Sequence, residues 1–388
     1  MINRKYIYLI LCSLIFMFLC FFINVKTGKS ISGPCSECHT MHNYQNGTIV
    51  VSGGPYRALT KGNCAMCHTG SNEGLGSTTH VPHVESSAGE PAYRFNGTVI
   101  SGSGTNYTLA GGSFYWREGN CGNGSDTNTG DVCVHDVDFF SSEGPYTPPG
   151  YDPNNYGRPQ NWNKQLTCAG NYGCHGKFDP NNSTLDDPFA AISGAHHKNV
   201  RRDNGTAEPN DVYDSYRFLY GIKGTEDDNW EYDYDSTSHN GYYAVDLYGQ
   251  SVSSPDVNSG SINYLCGECH GQFHWNSTTG SYGSPWLRHP TDIDMNHYIG
   301  TNKEYQNYPG PFDANGTYFP DVPVGTDDGS VVSTVWSSGK AIVLCISCHR
   351  AHGSPYADLL RWPYDACTCG NSTNSTTQCG CFACHTTK

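Results

Sequence analysis

Cys345-Ile-Ser-Cys348-His349-Arg-Ala-His352 is the stretch from which the rest of the chain can be read. It places two thiols three residues apart and an imidazole directly after the second. The same Cys-x-x-Cys-His pattern occurs at Cys35/Cys38/His39, Cys64/Cys67/His68, Cys266/Cys269/His270 and Cys381/Cys384/His385. Thiols at this spacing can add across the two vinyl groups of haem, and the adjacent imidazole is then placed to ligate the iron. Zinc sites or disulfides are the competing readings, but structural zinc sites combine pairs of such clusters, with no reason for a His after every second Cys. Five repeats of the full motif therefore imply at least five covalently attached haems. Cys168-Ala-Gly-Asn-Tyr-Gly-Cys174-His175 has five residues between its cysteines and still ends in Cys-His. It implies a sixth haem on a longer loop, the alternative being a Cys168–Cys174 disulfide beside an ordinary histidine.

The remaining histidines decide what such irons can do. Six proximal ligands, His39, His68, His175, His270, His349 and His385, leave eleven of the 17 histidines for six distal positions. Nine are candidate distal ligands: His42, His80, His83, His135, His196, His197, His274, His289 and His352. His297 completes the eleven with His239, which lies in an Asp/Ser/Asn-rich stretch and is the expected spare. His42 and His352 each follow a proximal His by three residues, so each is better placed for a neighbouring haem than for its own. Iron held by two imidazoles has no open position for substrate. This surplus of ligands points to electron transfer, with no catalytic residue, and a reductase would need one iron lacking its second His. No Cys-x-x-Cys-Lys variant of the motif occurs.

Composition agrees with a chain organised by something other than its side chains. Gly (45), Pro (21) and Tyr (27) are frequent over 388 residues, and only 36% of residues are hydrophobic. The expectation is a mostly irregular fold with short helices at the Cys-His motifs, a few short strands, and a haem chain as the internal scaffold. Motif spacing is close, then wide, then close again, with no boundary between independent domains.

Arg4 and Lys5 precede an apolar run from Tyr6 to Ile23, the layout of an export signal. Residues 1–29 are read as that signal or as an uncleaved membrane anchor, and 30–388 as one multihaem unit. Phe18-Leu19 before Cys20 is a poor lipid-attachment box. Beyond residue 29 the chain has 18 Lys+Arg against 36 Asp+Glu, which disfavours nucleic acid and suits cationic redox partners or bound cations. Eleven Asn-x-Ser/Thr sequons, four of them Asn-Gly-Thr at Asn46, Asn96, Asn204 and Asn315, are glycan acceptors or simply turns. Of the cysteines left over, Cys121 and Cys133 suit a disulfide in an oxidising compartment. Cys379 suits one with Cys367 or Cys369, leaving a spare thiol, unless the last haem uses Cys379 in an expanded motif.

Several segments resemble one family, the hexahaem extracellular c-type cytochromes that polymerise into conductive filaments, and more loosely the doubled-CxxCH cytochromes. Cys35-Ser-Glu-Cys-His-Thr-Met-His-Asn43 is similar to that family's opening motif. Cys266-Gly-Glu-Cys-His270 with Leu287-Arg-His-Pro290 is similar to its fourth site, Cys345 to His352 to its fifth, and Tyr216-Arg-Phe-Leu219 to a segment between the third and fourth. The resemblance implies stacked and T-shaped haem pairs, two axial histidines per iron, and a homopolymer in which His42 ligates the fifth haem of the neighbouring subunit. The five-residue gap at the third site and the Cys-rich loop before the last depart from the pattern. An extracellular conduit is thus the leading expectation, a discrete periplasmic or cell-surface carrier the second, and a multihaem reductase the third.

Overall fold

Among the described residues, backbone hydrogen bonds come in short pieces, some within one turn and many between segments distant in sequence. The computed structural model describes residues 34–75, 81–117, 121, 133–140, 147–151, 159, 161–193, 211–248, 260–271, 289, 291–299, 308–310, 312, 315–367 and 378–385. Residues 1–29, expected to be an export signal or anchor, and His80, His196, His197, His274, Asn204 and Cys369 lie outside them. No helix among the described residues is long and apolar enough to cross a membrane.

The described α-helices are α1 (Cys35–Cys38), α2 (Cys64–His68), α3 (Pro188–Ala191), α4 (Ile262–Gly267), α5 (Cys345–Cys348) and α6 (Cys381–Cys384). Helices this short do not persist alone, because nucleation is unfavourable and too few bonds follow it. They persist here as single turns. The N–H of His39, His270, His349 and His385 each donates to the carbonyl of its own first cysteine, at 2.8–3.1 Å. That closed turn sets imidazole and both thiols side by side.

Two motifs differ from this single-turn arrangement. At the fourth, α4 starts four residues ahead of Cys266 and ends at Gly267, so Cys269 lies beyond the helix, in the turn that follows. The physical reason is the N-cap. Ser261 Oγ accepts from Tyr264 N–H at 3.0 Å and starts the helix early, and the ladder is spent by Gly267. The chain then tightens around Cys269, whose N–H donates to Cys266 O at 3.2 Å, the carbonyl that His270 N–H also uses.

The third motif departs further. Cys168 lies in β7 (Thr167–Ala169), while Cys174 and His175 lie in β8 (Gly173–His175), paired in parallel with Thr167 opposite Gly173. A five-residue spacer cannot close one α-turn. Its Gly170 instead takes a left-handed conformation (φ 87°) and the loop folds back, with Thr167 N–H donating to Tyr172 O at 2.8 Å. Cys168 and Cys174 form no disulfide with each other.

The remaining strands also form two-stranded ladders. β1 (Tyr44–Gln45) and β2 (Thr48–Ile49) form a hairpin over Asn46-Gly47, and β5 (Tyr93–Phe95) and β6 (Thr98–Ser101) one over Asn96-Gly97. All four turn residues have positive φ, which is the tight-hairpin conformation that Asn-Gly favours and accounts for two of the Asn-Gly-Thr sequons. β3 (Thr69–Gly70) runs parallel to β4 (Glu85–Ser86), and β9 (Gly224–Thr225) antiparallel to β10 (Gly241–Tyr242).

Among the described residues the side chains gather in several separate cores that mix aromatic and aliphatic residues, one of them mostly Ile and Leu around Tyr216 and Tyr242. The largest described one gathers Phe95, Tyr308, Tyr318, Trp362 and Phe382, and another gathers Tyr93, Phe114 and Trp116. Between them two arginines are buried, Arg350 (4% exposed) and Arg361 (1%). Tyr93 joins them: its hydroxyl accepts from Arg350 Nε at 3.2 Å and donates to Arg361 O at 3.1 Å. Two disulfides, Cys121–Cys133 and Cys367–Cys379, brace the chain. Cys367 is thus the partner of Cys379 that the sequence left undecided.

Candidate haem sites

Five of the six motif histidines share one construction. Nδ1 of His39 faces Ala58 O at 2.8 Å, that of His68 faces Pro82 O at 2.8 Å, and that of His175 faces Arg217 O at 2.9 Å. Nδ1 of His270 faces Pro149 O at 2.7 Å and that of His349 faces Asp358 O at 2.6 Å. A carbonyl can only accept, so each Nδ1 carries the proton and each Nε2 presents its lone pair. This is how metal-ligating histidines are held, with one nitrogen donating and the other bound to the metal. His83 and His135 are held likewise, by Ser71 O at 2.8 Å and Ala351 O at 2.6 Å.

Three of these acceptor carbonyls come from the same unusual backbone. Ala58-Leu59, Arg217-Phe218 and Asp358-Leu359 are pairs of consecutive non-glycine residues with φ between 50° and 62°. The left-handed conformation is unfavourable by about 1–2 kcal/mol per residue for L-amino acids. It persists because the surroundings over-determine it. The first residue of each pair receives the imidazole. The carbonyl of the second accepts the N–H that follows the histidine: Thr40, Gly176 and Arg350 donate to Leu59, Phe218 and Leu359 at 2.7–2.8 Å. The first and fifth sites extend the match. Lys61 and Arg361 donate their backbone N–H to Cys38 O and Cys348 O, both at 2.8 Å, and their side chains to Ser36 O and Ile346 O. Sequence reasoning missed these cradles, although Pro55-Tyr-Arg-Ala-Leu59 and Pro355-Tyr-Ala-Asp-Leu359 repeat a Pro-Tyr-x-x-Leu signal.

Distal candidates meet attachment histidines across long stretches of sequence. The ring centroids of His175 and His352 are 6.3 Å apart, those of His270 and His135 6.1 Å, and those of His385 and His289 5.8 Å. An imidazole nitrogen binds a metal at about 2.0–2.1 Å and lies roughly 1.1 Å from its ring centre, so two rings on opposite sides of one metal stand about 6.2 Å apart. The three pairs therefore fit a bis-imidazole iron at the third, fourth and sixth sites. His135 and His352 are carried on one bridge, in which Val134 pairs with Gly353 and His135 N–H donates to His352 O at 3.2 Å. One ladder thus sets a distal candidate against each of two motif histidines. Gly112 permits its close third strand: at φ 83° it pairs with Gly353, and a Cβ there would stand 1.8 Å from Gly353 O.

Burial favours the neutral form of six of the motif and facing imidazoles. Burial lowers the pKa of His68, His135, His175 and His349, and takes His270 to about 4 and His352 to about 3. All are neutral near pH 7, as metal binding requires. The thiols also draw the sites together. Cys64 is within hydrogen-bonding reach of Cys168, Cys67 of Cys38, and Cys345 of Cys266, while Cys348 is near Cys381 and Cys384. Of the fourth pair, Cys266 makes the link to the fifth site from inside α4. Cys269, past the end of that helix, is half-buried and outside both disulfides. First, second and third sites are therefore contiguous, as are fourth, fifth and sixth, and the His135/His352 ladder joins the halves.

Other candidates divide clearly. His42 is exposed at the entrance of the β1–β2 hairpin. Opposite His349, among the described residues, no histidine ring stands at the separation of the three pairs. His83 is near His68, whose ionisation it disfavours. His239 stacks on Tyr318 at 3.6 Å and points Nδ1 and Nε2 at Asn240 O and Val332 O, so neither nitrogen is available to iron. His297 is engaged by the Asp246 carboxylate at 2.5 Å and stacks on Tyr248.

No protein-family model and no curated protein matches the chain. Among solved structures, it is similar to an outer membrane cytochrome S filament from Geobacter sulfurreducens, with TM-score 0.42 and 20% identity over 87% of this chain and 84% of that one. It is likewise similar to the cryo-EM structure of OmcS nanowires from Geobacter sulfurreducens, with TM-score 0.41 and 19% identity over 86% of this chain and 84% of that one.

Proposed function

We propose that the chain is an electron-transfer protein holding six c-type haems, exported and assembled into an extracellular filament. The observation that carries the reading is the set of three imidazole pairs at 5.8–6.3 Å, each joining an attachment histidine to a distal one. The thiols of Cys35/Cys38, Cys64/Cys67, Cys168/Cys174, Cys266/Cys269, Cys345/Cys348 and Cys381/Cys384 would hold the haems. Haem bound there would supply a one-electron iron couple. The protein's own work is to fix tautomers through Nδ1–H donation, to keep the rings neutral, and to set neighbouring sites close together.

The filament reading rests on His42 and His349. His42 and His352 occupy the same place in two matching modules, three residues past an attachment histidine and ahead of a Pro-Tyr-x-x-Leu cradle. His352 serves a site other than its own, facing His175. By the same geometry His42, exposed on its hairpin, is directed to an iron elsewhere, and the His349 site of a second copy is where we place it. Such a head-to-tail contact does not close on itself and generates a filament.

Magnetic resonance of the oxidised, fully matured protein tests the ligand set. The expected spectrum is low-spin throughout in the assembled state. One high-spin iron per chain that persists in filaments would replace this reading with a reductase.

A further inference from the structure

The last site contains one cysteine more than it needs. Cys379, Cys381 and Cys384 all precede His385, so haem could be taken as Cys381/Cys384, with two residues between, or as Cys379/Cys384, with four. The wider spacing is no barrier in principle, since the third site already spaces its thiols by five residues. What separates the two is the Cys367–Cys379 disulfide. Cys379 is 0% exposed, inside the aromatic core with Trp362 and Phe382, whereas Cys381 begins α6 and stays outside the bridge. The two alternatives are nonetheless adjacent: Cys381 Sγ lies 3.8 Å from Cys367 Sγ, and the three sulfurs lie within 4.8 Å of one another. Gly380 holds them in this order, because a Cβ there would stand 2.2 Å from the Trp362 ring, so the chain between Cys379 and Cys381 runs flat against the indole.

We infer that the Cys367–Cys379 disulfide is a register lock for the last haem: it withholds Cys379 so that only Cys381 and Cys384 can take the two vinyl groups. This rests on the haem reading of the site. In attachment each thiol S–H adds across a vinyl C=C, the sulfur bonding to one carbon and the hydrogen to the other, with nothing expelled and no oxidant consumed. A sulfur already in a disulfide has no S–H to add. The lock has one route of failure, and it is local. The Cys381 thiolate can attack Cys367 Sγ, forming Cys367–Cys381 and releasing the Cys379 thiolate, an exchange balanced in electrons and set by thiolate access. Attachment of haem to Cys381 removes the attacking sulfur and makes the correct register permanent.

Peptide mapping of the haem-bearing C-terminal fragment tests this in the full chain, expressed with haem-attachment machinery in an oxidising compartment. Wild type should show thioethers at Cys381 and Cys384 alone. In Cys367→Ser/Cys369→Ser, which leaves Cys379 no partner in its loop, a substantial fraction of the fragment should shift to Cys379/Cys384. Adding Cys379→Ser should restore the single Cys381/Cys384 product. Unchanged attachment in the double variant overturns the lock, as does Cys379 attachment in wild type. Equal loss of the last haem from both variants makes the bridge a structural brace only and also overturns it. A wild-type fragment bearing no haem, by contrast, refutes the haem reading of the site itself.

Discussion

Asp358 is an exposed residue whose value lies in its backbone. Its φ of 58° aims its carbonyl at His349 Nδ1. Glycine tolerates that conformation and a β-branched residue does not. Asp358→Val is therefore expected to lower stability by about 1–2 kcal/mol in denaturant unfolding, while Asp358→Gly stays within about 1 kcal/mol of wild type. Equal losses in both would show that the side chain, not the conformation, matters. Asp292 carries the opposite burden: it is 2% exposed, and burial raises its carboxyl to about 7 although Asn263 Nδ2 donates to it at 3.0 Å. A raised carboxyl contributes stability that is complete below its unfolded value of about 3.9 and is lost as pH rises through about 7. Asp292→Asn should accordingly gain on wild type between pH 4 and 7, by on the order of 4 kcal/mol, and run parallel to it above. Melting curves that stay parallel across that whole range would contradict the assignment.

At the scale of elements, the turns at the motifs were legible and much of the pairing was not. A Cys-x-x-Cys-His run is a local statement, and α1, α2, α5 and α6 begin where those runs begin. The third motif escaped the helical pattern because its spacer is too long for one turn. The fourth escaped it because the Ser261 cap starts α4 early and leaves Cys269 beyond its end. His135 facing His270 depends on the ladder between Val134 and Gly353, two segments more than 200 residues apart, which no local pattern announces. The Pro-Tyr-x-x-Leu cradles were present in the sequence, but their meaning lies in a carbonyl direction rather than in a side chain. Cys121–Cys133 was legible from its short loop and oxidising context; choosing Cys367 over Cys369 needed coordinates. The first disulfide ends two residues before His135, and Ser354 N–H donates to Cys133 O at 3.0 Å, so the bridge anchors the ladder that carries His135 and His352. Cys121→Ser/Cys133→Ser should lose about 3 kcal/mol, as expected for a loop of this length. It should also show a high-spin fraction at the fourth site before global unfolding. Loss of stability with every iron still low-spin would separate the bridge from the ligand.

For the whole molecule, several separate cores and a composition rich in Gly and Pro suit a chain whose rigidity would come in part from its bound groups. Assembly extends that logic across the junction. His42→Ala, fully matured, should keep all its haems, gain one high-spin iron per chain, and appear as monomers rather than filaments by negative-stain microscopy. Normal filaments with every iron low-spin would remove His42 from the junction while leaving the sites within the chain untouched. All of this depends on the number of haems the chain holds. The measurement that bears on it most directly is the intact mass of the exported protein after glycan removal. Six covalent haems are expected; five would remove the Cys168/Cys174 site, and fewer than five would contradict the multihaem reading as a whole.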